Sequence, residues 1–128
     1  MAKRTAIYIP GFAHKNPVPA ACRVGNMVFS GGIHGADPET GETAETLEDQ
    51  VVLMFRHVQT IVEAAGGTTS DIVKLTLWLR DRSLRPVVNT HWLEMFPDPD
   101  DRPARHTMRG NLDGNMQVQC DFVAVLSD

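Results

Sequence analysis

Four residues near the C-terminal end carry the clearest chemistry in the chain. Arg105, Thr107, Gln119 and Asp121 fall at alternate positions within two strand-like runs, residues 103–109 and 116–126. Between the runs stands Gly110-Asn111-Leu112-Asp113-Gly114-Asn115, a composition that favours tight reversal, so the pair reads as a β-hairpin. Alternation then sorts the second run: Met116, Val118, Cys120, Phe122, Ala124 and Leu126 on one face, Gln117, Gln119 and Asp121 on the other. In the first run Arg105, Thr107 and Arg109 share a face, and His106 and Met108 oppose them. With the apolar faces aligned, Arg105 and Thr107 overlook the same surface as Gln119 and Asp121. A guanidinium mounted on strand is a rigid fork suited to a carboxylate ligand. An ordinary solvated sheet face uses the same residue types, so the motif is a hypothesis.

The elements that must position these residues are bounded by size. The 128 residues fit one domain, expected over 1–128, with room for a true core. Apolar residues make up 42% and charged residues 22%, an ordinary globular balance. A net charge of −4 argues against a general grip on nucleic acid, which needs a basic face. Cys22 and Cys120 form no metal or redox pattern, and no histidine cluster has ligand spacing, so neither a metal nor a cofactor is expected. Both read as reduced thiols of a cytoplasmic protein. No run approaches a membrane span, and the apolar residues 6–9 are too short for a signal-peptide core.

Along the chain, residues 1–19 carry three prolines and read as an extended arm, with His14 on the surface. Strands are expected at 20–24 and 27–33, turned by Gly25-Asn26. The second meets Gly31-Gly32, which mark a bulge, a sharp turn or a close backbone approach. His34 follows, a weak candidate for overlooking a site. Residues 37–45 read as a polar loop.

The strongest helix covers 47–65, where Leu47, Val51, Met54, Val58, Ile61 and Ala65 recur at steps of four and three. Thr46 is its expected N-cap and Gly66-Gly67 its stop, with His57 off the stripe and exposed. Residues 71–81 switch to period two. Val73, Leu75, Leu77 and Leu79 take one face; Lys74, Thr76, Trp78 and Arg80 take the other. A second helix is expected at 84–96, capped by Ser83, with Val88, Trp92, Met95 and Phe96 inward and Asn89 beside them.

The order β-β-α-β-α-β-β, with one apolar stripe per helix and one apolar face per strand, points to an α+β fold. A single mixed sheet with both helices on one face satisfies it. The other face, with Trp78 on it, then needs cover, which closed self-association supplies.

Residues 25–31 (Gly-Asn-Met-Val-Phe-Ser-Gly), 61–66 (Ile-Val-Glu-Ala-Ala-Gly), 71–74 (Asp-Ile-Val-Lys), Val88-Asn89 and Pro103-Ala104-Arg105 give the chain a family likeness. It resembles the Rid (YjgF-like) family of reactive imine/enamine deaminases, also described as L-PSP endoribonucleases or translation inhibitors. The resemblance spans about residues 17–126. It implies a chorismate-mutase-like fold and a homotrimer whose sheets line an inner barrel, with ligand clefts between subunits. Its implied partner is a small carboxylate metabolite, with no membrane and no nucleic acid.

The resemblance also implies roles. Arg105 corresponds to the arginine that holds the carboxylate of a 2-imino or 2-enamino acid. Gly31, beside Ser30, gives backbone access, and Asn89 is the helix asparagine. Two positions depart from the family in side-chain type: Thr107 stands where a cysteine is common, and Val18 where an aromatic residue is usual. A third departure touches the chemistry, because the glutamate that activates water is Gln119 here. An amide cannot take up a proton, and general-base help contributes about 10²–10⁴-fold. Asp121 or His34 are the candidates to substitute. The resulting expectation is a deaminase-like hydrolase with altered or reduced catalysis; the competing class is a non-catalytic binder of 2-keto acids. Ribonuclease activity rests on the family's name alone, without a paired acid and base beside a basic groove.

Overall fold

The computed structural model describes residues 3–12 and 16–127. His14 lies outside the described residues. Among the described residues, seven strands and two α-helices follow in order. Strand β1 is Thr5–Ile7, β2 is Ala21–Val24, β3 is Met27–Ser30 and β4 is Ile33–His34. Helix α1 is Leu47–Ala64, β5 is Ile72–Leu79 and α2 is Arg85–Met95. Strands β6, Ala104–Arg109, and β7, Val118–Val125, close the chain. They form one mixed sheet in the order β1-β2-β3-β7-β5-β6, with β4 also on β7. The expected α+β architecture is therefore present, and the N-terminal arm is ordered by pairing β1 along β2.

One expectation fails here. Residues 103–109 and 116–126 do not form a hairpin, because β5 lies between them, parallel to β6 and antiparallel to β7. A helix leads from β5 to β6, and a strand–helix–strand connection returns the chain in the same direction. The Gly- and Asn-rich residues 110–117 then form a loop that crosses the end of β5. Arg80 clasps it, its Nε and Nη2 donating to the carbonyls of Leu112, Gly114 and Met116.

Registered partners on neighbouring strands share a sheet face. Leu75, Leu77 and Leu79 lie opposite Phe122, Cys120 and Val118 and are buried with them beneath the helices. Thr76 and Trp78 lie opposite Asp121 and Gln119 on the face without helices. Val73 does not join the inward leucines: a bulge between Ile72 and Lys74 exposes it and sends Ile72 inward instead.

Helix α1 starts as expected, with the Thr46 side chain accepting from the Asp49 N–H at 3.1 Å. It ends in the paired reverse bonds Gly66 to Glu63 and Gly67 to Val62, with Gly66 at φ +99°. Its buried face is wider than the periodic stripe and includes Gln50, Phe55 and His57. His57 is not exposed. Its Nε2 lies 2.7 Å from the Ala36 carbonyl oxygen, and its ring meets the edge of Phe12. In α2, Leu84 gives no side-chain cap. Asp81 instead accepts from the Ser83 N–H and hydroxyl, capping a short turn ahead of the helix.

Gln50 explains how α1 fixes the loops beside the sheet. Fully buried, it donates to the carbonyls of Ala44 and Asn115 and accepts from the Gln117 N–H. That arrangement requires Gly35, where a Cβ would stand 2.4 Å from the backbone of Gln50. Gly35→Ala should therefore destabilise the fold by about 1–3 kcal/mol, the cost of overpacking. A urea denaturation midpoint equal to wild type would show that the contact relaxes freely.

Candidate functional site

The residues around Arg105 and those around Gln119 occupy different places in the fold. Arg105 and Thr107 lie opposite Leu75 and Leu77, so they face the helix side of edge strand β6. Gln119 and Asp121 face the opposite, helix-free side. The sequence expectation of one shared surface followed from the hairpin and falls with it, because inserting β5 sets the faces by register instead.

The arginine half is assembled by α2. Residues one helical turn apart stack on the same face, and Asn89 and Trp92 are so placed. The Asn89 Oδ1 accepts from Arg105 Nη2 at 2.8 Å, and the Arg105 guanidinium sits 5.0 Å from the centroid of the Trp92 ring. Such stacking contributes about 0.5–2 kcal/mol. Arg105 Nη1 is buried and has no hydrogen-bond partner among the described residues. Burial lowers the arginine's pKa, and the nearby Arg85 charge lowers it further. A desolvated donor without an acceptor is costly, and a carboxylate oxygen would satisfy it. Thr107 stands one alternation along β6, half-buried on the same side.

The glycine half forms around an interruption between β3 and β4. Phe29 pairs with Val123 and Ile33 with Cys120, so four steps of one chain segment face three of β7. The extra residue is the bulge that Gly31-Gly32 foreshadowed. The Ser30 hydroxyl repairs the ladder there, accepting from the Phe122 N–H and donating to the Gly31 carbonyl. Its side chain is thus committed to the backbone. Gly31 and Val18 line a cleft of about 330 Å³ with Tyr8, Phe12 and His34; Arg105, Thr107 and Asn89 do not line it.

Gln119 lies across Gly32: a Cβ there would stand 2.5 Å from Gln119 Nε2. Trp78 and His34 flank Gln119 on the neighbouring strands. Within the described residues the Gln119 amide makes no side-chain hydrogen bond, so both its ends are available to a ligand or water. The thiol of Cys120, its neighbour, is buried on the core side, and burial followed by the Asp121 charge raises its pKa strongly. It is a packing group and not a nucleophile.

Sequence periodicity missed two things. Trp92 reads as core but also carries the Arg105 guanidinium, which the 89–92 spacing beside a βαβ return could have signalled. The separation of the two halves needed the strand order.

Comparison with known proteins agrees with this fold. The profile described as Endoribonuclease L-PSP matches residues 12–126, and the chain belongs to that family. A RutC family protein of Aquifex aeolicus is 34% identical over 117 residues, covering 87% of this chain and 94% of that protein. The 2-iminobutanoate/2-iminopropanoate deaminase of Dermatophagoides farinae is 30% identical, with 86% of each chain covered. The crystal structure of RidA from the Antarctic bacterium Psychrobacter sp. superposes with a TM-score of 0.88 at 30% identity, covering 95% of this chain and 99% of that one.

The unsatisfied Nη1 makes Arg105 directly testable. Arg105→Lys keeps the charge but loses the fork, and should weaken binding of 2-oxobutanoate by about 1.5–3 kcal/mol in calorimetry. Unchanged affinity would place the carboxylate elsewhere.

Proposed function

We propose that the protein is an imine/enamine deaminase-like hydrolase acting on small 2-imino or 2-enamino carboxylates. The observation that carries this reading is Arg105, oriented by Asn89, backed by Trp92, and left with a buried N–H that has no acceptor among the described residues. The name of the Dermatophagoides relative supports the reaction class. In the reaction, water adds to the imine carbon, the C=N bond breaks, and ammonia leaves with the proton released by water. The product is the 2-oxo acid. A 2-enamino acid first shifts a proton to carbon to become the imine.

Arg105 and Gln119 lie on opposite faces of one sheet, and Gly31 and Val18 line a cleft that Arg105 does not, so one chain does not bring these residues together. Our reading is that a homotrimer completes the cleft: Arg105, Thr107 and Asn89 from one subunit meet Val18, Gly31 and Gln119 from its neighbour. Exposed Met27, Phe29 and Val125 support this, because all three lie on the helix-free sheet face where the subunits would meet.

Catalysis here rests on position more than on proton abstraction. Arg105 fixes the carboxylate and thereby the imine carbon, and such orientation alone lowers the barrier. The Gln119 carbonyl orients a water without taking its proton. Asp121 lies on the same face, about 7 Å along the strand, within reach through a further water. Reduced turnover relative to a carboxylate-bearing site follows. The absence of a carboxylate at 119 also favours a second reading, a non-catalytic binder of 2-oxo acids.

The two readings diverge on Gln119→Glu. A slow deaminase should gain up to about 10²-fold in ammonia release from a 2-imino acid generated by an amino-acid oxidase. A binder should lose affinity, since a second negative charge facing the bound carboxylate in the assembled cleft repels it, and show no turnover. Wild-type turnover abolished by Arg105→Ala but not improved by Gln119→Glu would refute the missing-base argument and leave Asp121 as the group to test.

A further inference from the structure

Arg105 is not the only arginine at this edge without an ion pair among the described residues. Arg85 opens α2, and positions 85, 89 and 92 recur at steps of four and three, so all three lie along one face of the helix. Asn89 and Trp92 on that face touch Arg105, and Arg85 is close enough for its charge to act on Arg105. Arg85 uses only Nε within the chain, donating to the Arg82 carbonyl. Its terminal nitrogens have no partner among the described residues.

No ion pair among the described residues neutralises Arg85 or Arg105. The ion pairs found among the described residues both belong to His91, with Glu48 and Glu94. Strand β6 contains no carboxylate, and Glu94 is the only one in α2. Asp81, in the turn before the helix, is held by Ser83. Arg85 also stands in the first helical position without a side-chain cap before it, where a cation opposes the helix dipole. Like charges, an unfavourable helix position and free donor groups all run against local stability. Such breaches of local preference concentrate where a ligand compensates them.

Resting on the reading of Arg105 as the carboxylate holder, we propose that Arg85 receives a second anionic group. The substrate class is then the imine or enamine of a short 2-oxo dicarboxylate. The 2-carboxylate lies on Arg105, and the distal carboxylate lies about one helical turn away on Arg85, some 6 Å along the axis from Asn89. Arg85 would thus set specificity, and the chemistry at the imine carbon is unchanged.

The test uses two stable probes, 2-oxobutanoate with one carboxylate and 2-oxoglutarate with two, titrated calorimetrically into wild type, Arg85→Gln and Arg105→Lys. Wild type should bind 2-oxoglutarate about tenfold or more tightly, the scale of one charge-assisted contact. Arg85→Gln, an exposed change of similar helix propensity, should erase that preference and leave 2-oxobutanoate affinity within about twofold. Arg105→Lys should weaken both probes. The proposal is overturned if wild type shows no preference, or if Arg85→Gln weakens both probes equally. If Arg105→Lys alters neither probe, the carboxylate reading fails as well, whatever Arg85 does.

Discussion

The register of β5 is the constraint on which the rest of this molecule depends. Its inward leucines Leu75, Leu77 and Leu79 are almost fully buried, paired on one side with Phe122, Cys120 and Val118 of β7. Each such side chain contributes about 1.5–3 kcal/mol by leaving water. A slip of one residue would turn all of them outward at once, so the register is strongly specified. On its other side the same strand fixes β6, and with it the face to which Arg105 points. The single irregularity, at Val73, lies toward the strand's beginning, before the stretch that sets the site.

From that register the division of the site follows. The helix side of β6 meets α2, which offers Arg105 a hydrogen-bond acceptor and an aromatic face, while its carboxylate, Glu94, pairs with His91. The guanidinium is thereby desolvated, oriented and left incomplete, the state in which it binds an anion most strongly. The opposite face carries Gln119, laid over Gly32 at a bulge that opens the backbone. In the proposed assembly each supplies what its neighbour lacks.

How much of this was legible in the sequence varies with range. The α1 stripe, its Thr46 cap and its Gly66 stop are local signals and stand in the structure within a residue or so. The alternation of β7 is equally local, and Val118, Cys120, Phe122, Ala124 and Leu126 are buried as their periodicity requires. Strand pairing is not local. Residues 110–115 have the composition of a hairpin turn, yet the same residues serve a loop wrapped around Arg80, and nothing in them distinguishes the two uses. His57 was misplaced for a related reason. Its burial depends on the Ala36 carbonyl and Phe12, which approach from distant parts of the chain. Individual candidate residues could therefore be singled out while their mutual placement could not.

The central claim, that two chains complete each cleft, is tested most directly by mixing two disabled variants. Arg105→Ala removes the arginine half, and Gly31→Phe fills the glycine half; each alone should be inactive in ammonia release from a 2-imino acid. Co-refolded in equal amounts, random assembly should place both intact halves in roughly a quarter of the clefts, restoring about that share of wild-type activity. A mixture as inactive as either variant, with exchange of subunits confirmed by mass, would show that each cleft belongs to a single chain and would contradict the account.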